Sequence, residues 1–170
     1  MQKVGCTGYF CLILAVCLLF AVCFFTGCDD GYPEGITLTF SDLQLTLPGD
    51  FMDLAGEGID ADADFIYGCK TLIVTGAAED KSLLQEMTLE NYTSLVISGN
   101  ALETIPTALG KGYTFTYTRE VVGEEYTYIT ATYEGSANFW LFQFYCPTGS
   151  LAENQPEIDM ILSGIQPSNP

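Results

Sequence analysis

Residues 112–146 read GYTFTYTREVVGEEYTYITATYEGSANFWLFQFYC, and this stretch decides the fold. Three β-branched and aromatic runs, 112–122, 125–134 and 138–146, are joined by Gly123-Glu124 and by Gly135-Ser136-Ala137. Connections this short permit only antiparallel neighbours, so the stretch predicts a three-stranded meander. It holds half of the chain's aromatic residues. In the first run Tyr113, Phe115 and Tyr117 alternate with Thr114, Thr116 and Thr118, giving one core side and one wetter side. In the last run both parities are apolar, Phe139 and Leu141 against Trp140, Phe142 and Phe144, as expected of a strand covered on both faces.

Working outward toward the N-terminus, residues 101–109 predict an edge strand, because Pro106 cannot donate to a ladder. Residues 79–87 and 88–98 read as two short helical segments. In the second, Thr88 stands at the N-cap, Leu89, Tyr92, Leu95 and Val96 recur at three- and four-residue spacing, and Gly99 ends it. Residues 65–75 (FIYGCKTLIVT) are β-rich, with Gly68 as a bulge or break. Residues 36–40 and 43–47 alternate apolar with Thr or Gln around Ser41-Asp42, a hairpin pattern that Pro48-Gly49-Asp50 closes. Beyond the meander, residues 154–164 predict a closing helix with Asn154 or Gln155 before Pro156, buried Ile158, Ile161 and Leu162, and a stop at Gly164.

The first 28 residues have a different character. Lys3 is the only charge before Asp29, and an uncharged apolar run follows it to Phe25-Thr26-Gly27-Cys28. That order is a secretion signal. Its last four residues resemble the lipobox of bacterial lipoproteins, with Phe25 where Leu is usual. The resemblance implies removal of residues 1–27 and acylation of Cys28, which becomes the mature N-terminus. Several acyl chains anchor durably because each buried CH₂ contributes about 0.8 kcal/mol. The alternative is an uncleaved helix, since residues 4–26 reach the roughly 20 apolar residues that span a bilayer. Both readings put the domain outside the cytoplasmic membrane, and the lipoprotein reading puts it on the outer face of that membrane. Cys6, Cys11, Cys17 and Cys23 are then small apolar residues of the signal. The expected organisation is a signal over 1–27, the lipidated Cys and a polar tether over 28–35, one domain over 36–165 and a tail over 166–170.

The exported part holds all 22 acidic residues against Lys70, Lys81, Lys111 and Arg119. Such a balance excludes nucleic acid, which needs a basic face. The acidic loop 51–64 contains Asp60-Ala61-Asp62-Ala63-Asp64, the spacing with which a calcium loop begins. Phe65 and Thr71 then stand where that motif needs Gly and a bidentate Glu, so Asp60, Asp62 and Asp64 are weak metal candidates and a solvated loop is the default. Cys69 and Cys146 are free either to form a disulfide, which an oxidising compartment allows, or to remain buried thiols.

The order of a hairpin ending in LPGDF, a helical segment, an aromatic meander and a closing EIDMILSGI helix resembles the PsbP-like fold over residues 36–165. That resemblance implies an α+β fold, an antiparallel sheet sandwiched by helices, shared by the photosystem II extrinsic subunit, a nuclear Ran-binding relative and many bacterial surface lipoproteins. It implies a binding or assembly role without an enzyme's site residues and without a cofactor. The residues themselves agree: with no His in the chain, the usual general base, nucleophile partner and metal ligand are missing together. Neither a Ser-x-x-Lys nor a phosphate-binding glycine loop is present. The expected function is therefore a lipid-anchored, non-enzymatic interaction module with a surface or envelope protein as partner. A small-ligand or cation receptor and a structural envelope protein are the alternatives.

Overall fold

In the seven-stranded sheet at the centre of the molecule, each strand runs antiparallel to its neighbours: turns or loops join all sequential strands but one pair, and the crossover after the strand Leu72–Asp80 carries the chain to the far edge, from which it returns strand by strand. The structure, a computed structural model, describes residues 34–57, 63–84 and 86–167. The chain order is β1 (Ile36–Thr39), β2 (Leu43–Leu47), β3 (Met52–Asp53), β4 (Phe65–Cys69), β5 (Leu72–Asp80), α1 (Leu89–Gly99) and β6 (Thr107–Leu109). Then follow β7 (Gly112–Val121), β8 (Glu124–Glu134), β9 (Asn138–Pro147), α2 (Leu151–Ser163) and β10 (Gln166–Pro167). The large sheet has the order β3-β4-β5-β9-β8-β7-β6, and a small one the order β1-β2-β10. The class expected from the sequence, α+β with an antiparallel sheet and helices packed on it, is the class observed.

Strand parity sorts the two faces of the large sheet. On one, Trp140, Phe142 and Phe144 of β9 meet Leu43, Leu45 and Leu47 of β2 and Ile158, Ile161 and Leu162 of α2 in a single buried cluster. On the other, α1 covers one end. There Tyr92 stacks on Phe139 at 4.8 Å, and the Thr93 and Thr132 hydroxyls are 2.7 Å apart. Thr88 caps α1 as expected, its hydroxyl accepting the Asn91 N–H at 3.2 Å.

Asp42, in the turn between β1 and β2, clips the hairpin to the sheet. Its buried carboxylate accepts the Ala137 and Asn138 N–H groups at 2.8 and 2.9 Å, the Trp140 indole N–H at 2.8 Å and the Asn138 amide at 3.3 Å. Gly135 allows this approach, since a Cβ there would run into the carboxylate.

Several elements depart from the sequence reading. The run 65–75 is a hairpin turning at Lys70-Thr71, with Lys70 at φ 52°, and Gly68 is an ordinary strand position that pairs Met52 and Ile73. The described residues of 79–87 form no α-helix: Glu79 and Asp80 stay in β5 opposite Phe139 and Asn138, and a tight turn, Lys81–Leu83, follows. Cross-strand pairing overrides a weak local helix preference there. The edge strand narrows to Thr107–Leu109. α2 starts a turn early and runs through Pro156, while Asn154, expected near the cap, is buried and donates to Thr71 and to the Ser150 carbonyl. Gln166 and Pro167, expected as tail, pair with Gln44 and Leu43 of β2. Phe115 is buried as its alternation predicts, but on the α1 face rather than in the main cluster.

Candidate functional site

Beyond α1, the same face of the sheet is open and floored with tyrosine. The register places Tyr117 of β7 opposite Tyr128 of β8, and Tyr128 opposite Tyr145 of β9. The rings stack across the strands, Tyr117 on Tyr128 at 4.9 Å and 3°, Tyr128 on Tyr145 at 5.1 Å and 22°. All three are half-buried. The exposed Arg119 guanidinium lies 5.3 Å from the Tyr117 ring centre, a cation–π distance, and Gln143 donates to the Tyr117 hydroxyl at 3.1 Å. Burial raises the Tyr117 pKa, although the Arg119 charge works against it, so this phenol is a neutral donor at pH 7. Rigid rings with polar tips and one guanidinium make a surface suited to contact, since Tyr and Arg supply much of the binding at protein interfaces.

A second feature lies at the opposite face. A cleft of about 490 Å³ opens between the β6–β7 turn, the end of β8, β2 and the C-terminal end of α2. Leu43, Leu109, Leu162 and Ile165 line it together with Lys111 and Gln166. Glu134 at its rim is held by Lys81 at 2.6 Å, and Tyr133 donates to the Leu162 carbonyl at 3.3 Å. A shallower cleft of about 390 Å³, bordered by Glu90 and Tyr113, lies on the other side of Lys111.

Of the residues singled out from the sequence, Cys28, Asp60 and Asp62 lie outside the described residues. Asp64 extends the β4–β5 pairing: its N–H donates to the Gly76 carbonyl at 2.8 Å, and its carboxylate accepts the Ala78 N–H at 2.7 Å. Among the described residues no group of three His, Cys, Asp or Glu side chains is placed to hold a metal. Cys69 and Cys146 are both buried and free. Cys69 faces Leu72 and Tyr145 faces Ile73, so β5 stands between the two thiols. Two strand spacings of about 4.8 Å exceed the roughly 7 Å that a disulfide spans, so the structure leaves them unbridged. Cys69 donates to Asp50 at 2.9 Å; burial and that carboxylate push its pKa up to about 12. Burial also raises Cys146, against a hydrogen bond from Asn154. Neither is a thiolate nucleophile at neutral pH. Among the described residues no helix is long and apolar enough to cross a membrane.

The tyrosine ladder is not among the features legible from the sequence. Its signal was there, in the shared parity of Tyr113, Phe115 and Tyr117, but which tyrosines meet depends on a register that the turn residues leave open. The cleft has no local signal, because β2, α2 and the β6–β7 turn come from distant parts of the chain.

No family model and no curated protein matches this sequence. Solved structures do. A crystal structure from Bacteroides thetaiotaomicron VPI-5482 is similar at a TM-score of 0.56 and 12% identity over 82% of this chain, which spans 50% of that one. The fold is what they share. A protein of unknown function from Pseudomonas aeruginosa, PA94, described as a putative regulator, is similar at a TM-score of 0.50 and 8% identity, over 82% of this chain and 100% of that one. The solution structure of cyanobacterial PsbP (CyanoP) from Synechocystis sp. PCC 6803 matches at 0.47 and 9% identity, over 85% of this chain and 99% of that one.

Proposed function

We propose that the chain is a lipid-anchored, extracytoplasmic, non-enzymatic interaction module that meets a surface or envelope protein through its open tyrosine face. The observation that carries this is the ladder Tyr117, Tyr128 and Tyr145 with Arg119 beside it, which α1 leaves uncovered. The signal pattern ending at Cys28 supports the anchor. The absence of His from the chain and the protonated state of Cys69 support a role in binding rather than in catalysis.

The test is a photo-crosslinking residue placed at Tyr128, or at Thr116 on the opposite face of the sheet, in the full-length protein in its own cells. A discrete adduct from position 128 alone, absent when Arg119→Ala is added and absent in Cys28→Ala, is the expected result. Equal patterns from both positions, or none from 128, would remove the tyrosine face as the contact surface. A second reading, a small-ligand receptor, is favoured by the 490 Å³ cleft.

A further inference from the structure

The cleft has two polar side chains left over. Most polar side chains lining it are engaged: Glu134 by Lys81, the Tyr133 hydroxyl by the Leu162 carbonyl, and the Ser163 hydroxyl by the Met160 carbonyl. Among the described residues Lys111 has neither ion pair nor hydrogen bond, and the Gln166 side chain has no hydrogen bond. Lys111 is one of only four basic residues after Cys28, and it borders a cavity whose other walls are Leu43, Leu109, Leu162 and Ile165. Its volume falls in the range of about 300–1,000 Å³ typical of small-molecule sites, which are mostly apolar with a few orienting polar groups.

We propose that this cleft binds a single-chain amphiphile with a carboxylate head, Lys111 and the Gln166 amide holding the carboxylate while the alkyl chain lies against Leu109, Leu162 and Ile165. Charge complementarity argues for the sign of the head. The cleft's uncompensated charge is positive, and a cationic head would meet only Glu134, which Lys81 already neutralises. Chain composition argues for a single charge: a protein with 22 acidic residues repels polyanions at long range, so an anion that binds must gain most from apolar contact. This site is independent of the tyrosine face, which lies on the other side of the sheet, and each stands or falls alone.

The experiment uses the full chain in phosphatidylcholine nanodiscs, with octanoate as probe and octanol as the uncharged control. The readout is the methyl NMR signals of Leu109, Leu162 and Ile165, which report the cleft and ignore partition into lipid. Octanoate should shift these signals saturably and bind more tightly than octanol. Lys111→Gln, at an exposed turn where the change leaves the fold intact, should weaken octanoate about tenfold, the usual loss when a charged hydrogen-bond partner is removed, while octanol is unaffected. The proposal is overturned if no saturable shift occurs, if octanol binds as well as octanoate, or if Lys111→Gln leaves octanoate affinity unchanged.

Discussion

Asp42 shows how one buried carboxylate fixes the relation between two distant turns. Burial by itself would raise its pKa, but the donors from Ala137, Trp140 and Asn138 outweigh burial and hold the group below its ordinary 3.8. A carboxylate accepts all four hydrogen bonds, whereas the NH₂ of an asparagine would face donors. Asp42→Asn should therefore lower stability by about 2–3 kcal/mol at pH 7, measured by urea unfolding. The sign of the pH dependence follows from the depressed pKa. The contribution is complete above the unfolded value near 3.8 and fades as pH falls through the folded one. The gap between wild type and variant should begin to narrow as pH falls below the unfolded value near 3.8 and close only below the folded one; a gap that stayed constant to about pH 2 would show that the ionised form is not what stabilises.

At the scale of elements, the β7–β8 hairpin is the clearest case of local chemistry at odds with its backbone. Val122 and Gly123 have φ of 52° and 82°, the two positive values of a two-residue turn that Asn-Gly suits best. Val122 is β-branched and fully exposed, so it carries the strain of that conformation without packing in return. Val122→Asn should raise stability by about 1 kcal/mol, read as a higher midpoint in thermal unfolding. The same hairpin shows what the sequence could tell. The meander is legible almost to its limits, because alternation and turn residues are local, yet the turn lies one residue earlier than its Gly123-Glu124 signal, at Val122-Gly123, because Val is not a turn former. The β4–β5 hairpin was hidden for a similar reason, since Lys70-Thr71 carries neither Gly nor Pro. The helix expected over 79–87 failed because Glu79 and Asp80 answer to Phe139 and Asn138, some sixty residues away. The cleft depends on such remote pairings, so no window of sequence contains it, whereas the tyrosine ladder lies within residues 117–145 and awaits only its register.

On the scale of the whole molecule, charge is unbalanced. The chain has 22 acidic and 5 basic residues, and Lys81–Glu134 is the one salt bridge among the described residues. Glu120 and Glu125 even stand directly opposite one another across β7 and β8. Self-repulsion of this kind opposes compaction. Raising the salt from about 0.01 to about 0.15 M shortens the screening length from about 30 to about 8 Å, so the thermal midpoint should rise by a few degrees. An unchanged or falling midpoint would mean that the acids are spread too widely to repel. The small sheet has a different kind of consequence. β1 and β10 flank the same strand, β2, so the fold begins and ends two lanes apart, about 10 Å across the sheet, with Ile36 opposite Leu47 and Pro167 opposite Leu43. The path of the backbone is nearly a closed ring. A short linker from residue 167 back to residue 36 would complete it, and the cut could be moved to Val122-Gly123, where no core strand is severed. Where the polypeptide starts is, for this domain, a property separable from the contacts that hold it folded.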